Sequence, residues 1–381
     1  MKFATTGTVE GQAVRPAAYY AKKTGKILLY AMAALAVMLA ILAAVLRINS
    51  TGETDPFTYT NGKIIPGSIA VIEKVTIGGV DQALIIRGRD RSNPVLLYVH
   101  GGPGSPETPF SRYIKSRIEN IFTVCYWEQR GAGKSYSSDI PAGSMTIERF
   151  VDDAGEVSRH LVKKFNSPRI YLMGHSWGTV VASLAAKKFP ELYHAYIGVG
   201  QVADQARSEQ LSYDFVLSTA RRKKEADAVD ELRGIGRPPY ASPEEWMEKI
   251  MKERKYVARY GGALHRGNFY LMIFNSIFLC REYTVVEKFN YLQGMFFSMK
   301  LLWPQLIGLK LAKAVPELRI PVYIFQGKYD YQTVTPVAVE YYNSLKAPVK
   351  RLYIFDESAH SPNFEEPEKF QRILRQDVIS R

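Results

Sequence analysis

The sequence predicts an α/β fold: a mostly parallel sheet with helices on both faces, an inserted helical cap and an N-terminal transmembrane helix. Three observations carry this. From Ile69 onward, short runs rich in Val, Ile and Leu alternate with helical stretches, the pattern of a parallel sheet whose strands are buried on both sides. The alternation breaks after Val199 and resumes only at Val322, more than a hundred residues later, an interval too long for a simple crossover. Ile27 to Leu46 is twenty residues without a charge, and as a helix at about 1.5 Å per residue it crosses roughly 30 Å of hydrocarbon.

Residues 1–26 read as a polar tail, 27–46 as the anchor and 47–68 as a linker in which Thr, Gly and Asn recur. A cleaved signal peptide has a shorter apolar region, about 7 to 15 residues, and a small-residue cleavage site, which this segment does not clearly offer. Lys22, Lys23 and Lys26 precede the apolar run; by the positive-inside rule they keep the tail cytoplasmic and the rest of the chain outside.

The core is expected over 69–200 and 317–381, with the cap over 201–316. Ile69 to Ile77 and Gln82 to Arg87 read as an antiparallel pair joined through Gly78-Gly79. Val95 to Val99 and Ile121 to Trp127 follow as strands, then a helix near Ile147 to Phe165, a strand over Arg169 to Met173, a helix from Trp177 to Phe189, and a strand over Ala195 to Val199. The cap carries several helical stretches, including Pro243 to Tyr260 and the aromatic-rich Asn268 to Trp303. Val322 to Phe325, Arg351 to Phe355 and a helix after Pro367 complete the fold.

The chain of 381 residues carries a formal charge of +13, with 46% hydrophobic and 23% charged residues, an ordinary folded composition. Its basic residues are dispersed, and the densest run, Arg221 to Lys224, lies in a helical stretch with acids close behind. This reads as a solvated helix face, not a nucleic-acid site, with weak attraction to anionic lipid a secondary expectation. Two cysteines, Cys125 and Cys280, exclude a disulfide framework and read as packing residues. No metal-ligand spacing is present. Gly131 to Ser135 has Glu128 where a phosphate loop needs its first glycine, and Gly198-Val199-Gly200 lacks the last glycine of a dinucleotide site.

Chemistry gathers at strand ends. Gly174-His175-Ser176-Trp177-Gly178 lies where a strand run meets a helix, and small residues on both sides of Ser176 permit the sharp turn that exposes a nucleophilic hydroxyl. A serine needs a base to take its proton and a carboxylate to orient that base. Asp330 follows one later strand and His360 the last, giving the order Ser, Asp, His. Asp204 is a second candidate acid, and Asp356 reads as a turn cap. His100 and His175 flank other motifs, while His160, His194 and His265 read as surface or packing residues. Gly101 and Gly102, in His100-Gly101-Gly102-Pro103-Gly104 after the central strand, can bring a backbone N–H to a developing oxyanion, with the Trp177 N–H as the second donor.

On these residues the chain resembles the proline iminopeptidase family of serine peptidases, within the α/β-hydrolase fold. The match runs through the His100 to Gly104 loop, Trp127-Glu128-Gln129-Arg130-Gly131-Ala132-Gly133-Lys134-Ser135, the Ser176 elbow, Gly327-Lys328-Tyr329-Asp330 and the His360 loop. It covers roughly Ile69 to the C-terminus except the cap. The resemblance implies release of N-terminal residues, often proline, from peptides without a cofactor, using Ser176, Asp330 and His360. His175 stands where the family often has glycine, and Glu128 where it usually has aspartate. Family aminopeptidases hold the substrate amino group with cap glutamates, and Glu209 occupies a loosely comparable place. A rival reading is an esterase or lipid-acting hydrolase acting on an acyl substrate. Its motive is the cap's Phe269, Tyr270, Met272, Phe274, Phe278, Phe296 and Phe297 beside an anchor, residues that equally suit a cap core. Aspartate chemistry of the epoxide hydrolase kind is disfavoured by Ser176. A binding module on a hydrolase scaffold is a third reading, opposed by the complete Ser, Asp and His set.

Overall fold

The computed structural model describes residues 17–114 and 117–379, so residues 1–16 of the expected tail lie outside the described residues. The chain divides after Ile48 into two compact units. The first holds helix α1 (Ala17–Ile48), whose stretch Thr24–Ile48 is long and apolar enough to cross a membrane. Its Leu28, Leu35, Met38 and Leu39 side chains are exposed, whereas a soluble core helix would bury them.

The second unit is built on eight strands: β1 (Ile69–Ile77), β2 (Val80–Gly88), β3 (Val95–Val99), β4 (Thr123–Glu128), β5 (Ile170–His175), β6 (Tyr193–Val199), β7 (Val322–Gly327) and β8 (Lys350–Phe355). They lie in the order β1-β2-β4-β3-β5-β6-β7-β8. The β1–β2 and β2–β4 pairs are antiparallel and the others parallel. Sequence reading starts β4 at Ile121, but Ile121 and Phe122 close the preceding 3₁₀ turn, both bonding the Ile118 carbonyl.

Side chains alternate across the sheet with period two. Leu97, Val99, Cys125 and Leu172 enter one core layer, with Val157 and Leu161 of α3 (Ile147–Phe165) and Val180 and Val181 of α4 (Trp177–Lys188); the short α2 (Thr108–Tyr113) precedes these helices. Leu96, Tyr98, Tyr171 and Met173 enter the opposite layer, where Phe370 and Leu374 meet them. Helices thus cover both faces, as expected for buried parallel strands.

Between β6 and β7 run α5 (Gln205–Arg222), α6 (Ala226–Ile235), α7 (Pro243–Arg259), α8 (Phe269–Phe278), α9 (Val285–Gly308) and the single turn α10 (Leu311–Ala314). The aromatic-rich stretch is therefore two helices. Thr284 starts the second with a capping box, its hydroxyl accepting from Glu287 N while the Glu287 carboxylate accepts from Thr284 N. Arg221 to Lys224 is an exposed helix end, where basic side chains suit the C-terminal dipole. Cys280 is buried in a cap cluster with Ile277, Tyr283 and Tyr291. After β7 come α11 (Thr335–Ser344), α12 (Pro362–Glu365) and α13 (Pro367–Ile373).

Candidate active site

The six parallel strands deliver their following loops to one edge of the sheet, and that edge carries the chemistry-bearing residues. At the end of β5 the chain reverses into α4 through Ser176, whose backbone has φ of 54° and ψ of −124°. A non-glycine residue at positive φ costs of order 1–3 kcal/mol and persists only where its surroundings enforce it. Here close approach does so: a Cβ on Gly174 would come within 2.4 Å of the Gly178 carbonyl oxygen, and one on Gly178 within 2.0 Å of the Val99 carbonyl oxygen. Ser176 N donates to the Val199 carbonyl at 2.9 Å, fixing the turn against β6.

Asp330, after β7, and His360, after β8, meet with His360 Nδ1 2.9 Å from Asp330 Oδ2. The buried carboxylate also accepts from Gln326 Nε2, Thr333 Oγ1, Thr333 N and Gln332 N at 2.7 to 2.9 Å. Burial alone would push its pKa up; the facing His360 and these donors outweigh burial and hold it below the ordinary carboxylate value. Asp204 is spent elsewhere, capping α5 by accepting from Arg207 N.

The His100 loop adjoins the elbow. A Cβ on Gly101 would come within 3.1 Å of Ser176 Cβ, and Gly102, at φ of 112°, lines the same cavity as Ser176 and Trp177. Burial pushes the His100 imidazole down to about 4. It is therefore neutral, its Nδ1 placed to donate to the Gly101 carbonyl at 2.8 Å while Nε2 accepts from Gln129 N at 3.1 Å. Gln129 completes the link: its Nε2 donates to the His100 carbonyl at 2.9 Å and its Oε1 accepts from Trp177 Nε1 at 3.0 Å.

A family described as the α/β hydrolase fold matches residues 94–233. The probable aminopeptidase YbaC of Bacillus subtilis is 34% identical over 307 residues, covering 81% of this chain and 96% of that protein. The chain belongs to the proline iminopeptidase-like α/β hydrolases. A proline iminopeptidase of Heyndrickxia coagulans is 23% identical over 291 residues, covering 74% of this chain and 88% of its own. In three dimensions the hydrolase shares its fold with a proline iminopeptidase-related protein of Thermus thermophilus, with a TM-score of 0.56, 19% identity, and coverage of 81% and 96%.

Several residues of this hydrolase's site have no single-residue signature. His175 Nδ1 lies 3.0 Å from Glu107 Oε1, a Coulombic contact without good hydrogen-bond alignment. Burial opposes its protonation, but Glu107 prevails and raises its pKa. Its Nε2 lies 3.2 Å from the His360 carbonyl and the two rings are 5.1 Å apart, so the residue before Ser176 braces the His360 loop. Glu365 braces it from the other side, accepting from Ala359 N at 2.9 Å and Ser361 N at 3.2 Å. Glu128 accepts from the Tyr283 hydroxyl of the cap at 2.6 Å and from Lys134 N at 2.6 Å.

A cavity of about 300 Å³ lies over Ser176 under the cap, lined chiefly by apolar side chains such as Phe110, Ile250, Met299 and Trp303. Glu209 is buried but does not line it; Arg254 does. The Arg254 guanidinium is bonded to Glu209, and Gln205 Nε2 also donates to that carboxylate. Burial, opposed by Arg254, pushes the Glu209 carboxyl up, and burial together with the Glu209 charge pushes up Glu253. The expected amino-group ligand is thus a partnered carboxylate one layer behind the cavity wall.

Proposed function

We propose that this chain is a membrane-anchored serine hydrolase, an aminopeptidase of proline iminopeptidase type that releases N-terminal residues from peptides. The observation that carries the reading is the Asp330–His360 pair, 2.9 Å apart, on the sheet edge that holds Ser176 in a strained turn. With Nδ1–H donating to Asp330, His360 presents Nε2 as a base. It takes the Ser176 Oγ proton as that oxygen attacks the scissile carbonyl. The Trp177 N–H, unpaired by position in the first turn of α4, and the Gly101/Gly102 loop bind the resulting oxyanion. His360 then passes the proton to the leaving amine. Water attacks the acyl-serine with His360 again as base, releasing the carboxylic acid and restoring Ser176.

The names of the relatives support a peptide substrate. Glu209, with Glu253 beside it, is the candidate for the substrate ammonium, which would take the place of Arg254. Burial pushes both carboxyls up, and each faces the other beside Arg254, so an arriving ammonium would meet a pair of carboxyls. The N-terminal helix is read as an anchor with its lysine-flanked end in the cytoplasm and the catalytic unit outside.

A second reading, an esterase for apolar acyl groups, is favoured by the cavity, whose lining among the described residues includes Arg254 and no carboxylate. Turnover of a prolyl arylamide against that of acyl esters tests the choice. Faster ester hydrolysis with negligible arylamide release would replace the first reading by the second.

A further inference from the structure

The cap carries an apolar surface that its core does not account for. Val286, Phe289 and Phe274 are 66%, 64% and 60% exposed. On α9, Val286, Phe289, Leu292 and Phe296 recur at three- and four-residue spacing, one face of a helix. On α8, Tyr270, Leu271 and Phe274 are likewise exposed, and the whole helix, FYLMIFNSIF, has no charge. Exposed large apolar side chains gathered on two neighbouring cap helices suit a docking surface better than the single scattered residues found on any protein.

Part of this face borders the cavity. Tyr270, Leu292 and Phe296 are about half exposed and also line the cavity that reaches Ser176. The same two helices receive the chain as it leaves the apolar N-terminal segment. Lys288 Nζ, in the first turn of α9, donates to Ser50 Oγ at 2.9 Å, to the Asn49 carbonyl, and to the Phe278 carbonyl at the end of α8 at 2.7 Å. Gly52 N donates to the Arg281 carbonyl at 2.9 Å, between α8 and α9. Ile48 is the last residue of the apolar segment, so one peptide bond, about 3.8 Å between Cα atoms, separates it from a residue held at the α8–α9 connection. On the anchor reading, the chain enters the second unit beside this part of the cap.

We propose that the exposed face of α8 and α9 rests in the interfacial layer of the phospholipid bilayer spanned by the N-terminal helix, with the cavity opening into that layer. Substrates then enter from the membrane, and the class selected is an amphiphile whose apolar segment is already partitioned into lipid. The inference rests on the anchor and hydrolase readings above. Aromatic and aliphatic side chains on an otherwise uncharged helix suit the headgroup boundary, and an apolar cavity wall continues the hydrocarbon environment toward Ser176.

The test uses the full chain in phosphatidylcholine vesicles. Cys125 and Cys280 are buried, so an environment-sensitive fluorophore can be placed through Phe289→Cys, and through Lys163→Cys, near the end of α3, as a control. Quenching by spin-labelled phosphatidylcholine at position 289 at least threefold above that at 163 is the expected result. Equal quenching at the two sites would overturn the proposal. So would a blue-shifted probe at 289 that lipid cannot quench, which would mean a protein partner or a second copy covers the face. Release of the chain from membranes by alkaline carbonate would overturn both the anchor and the docking. In parallel, Phe274→Ser with Phe289→Ser should keep turnover of a water-soluble short-chain ester within twofold and lower that of a long-chain ester in vesicles about tenfold. Equal loss on both esters contradicts the proposal. Absence of turnover on either ester by the unmodified chain, with quenching intact, would sink the hydrolase reading and leave the docking standing.

Discussion

Gln129 Oε1 accepts the indole N–H of Trp177 at 3.0 Å, and this contact joins the loop after β4 to the elbow after β5. Because the same carboxamide donates to the His100 carbonyl, one buried side chain sets the spacing between the Gly101/Gly102 loop and the first turn of α4. Gln129→Met keeps the volume but orphans a buried donor and a buried acceptor, at about 1–3 kcal/mol each. We expect a melting temperature lower by several degrees and kcat reduced about tenfold or more with KM little changed, measured on a soluble ester. An unchanged kcat would show that the contact serves packing alone.

Asp330→Asn should lower turnover roughly 10⁴-fold, because an amide in place of the carboxylate favours the wrong His360 tautomer and cannot stabilise its charge. Asp204→Asn is the matched comparison. It retains an N-cap oxygen, so activity should remain within twofold. Kinetics of the two variants decide which acid serves His360.

How far the site was legible follows from what each residue depends on. The elbow, the His100 loop and the order Ser176, Asp330, His360 were readable because turn chemistry and strand-end position are local. The two cap helices around Thr284 were not separated, although the Thr284 and Glu287 pair is a local capping signal. Gln129 was visible as part of a motif, but its role was not, since its partners lie 29 and 48 residues away in sequence. Only position in the sequence points to Glu209, and nothing near it announces that Arg254, on another helix, stands between it and the cavity.

Glu128 makes stability depend on pH. Burial pushes its carboxyl up to about 7 from 4.5, against the Tyr283 and Lys134 hydrogen bonds. The folded chain therefore binds this proton more tightly than the unfolded chain, and the stability it adds is complete below about 4.5 and lost as pH rises to about 7. Half-buried Glu365, its carboxyl also pushed up to about 7 by desolvation, acts in the same direction. Asp330 acts oppositely, its contribution being lost as acid titrates it below its ordinary value. Melting temperatures between pH 5 and 8 should fall for the unmodified chain and fall less steeply for Glu128→Gln. Parallel curves would contradict the assignment.

Arg254→Met removes the guanidinium that partners Glu209 and leaves carboxylates facing the cavity. Breaking a buried pair costs about 3–5 kcal/mol, so the melting temperature should drop. If Glu209 is the ammonium ligand, the ratio of kcat/KM for a prolyl arylamide over that for a neutral ester should rise severalfold. An unchanged ratio would remove Glu209 from substrate recognition.

Labelling by a fluorophosphonate, read by mass spectrometry of the digested full chain, tests the central claim most directly. The account predicts a single adduct on Ser176, absent in Ser176→Ala and slowed at least a hundredfold in His360→Ala. Ester and arylamide turnover undiminished in Ser176→Ala, or an adduct on another serine, would contradict it.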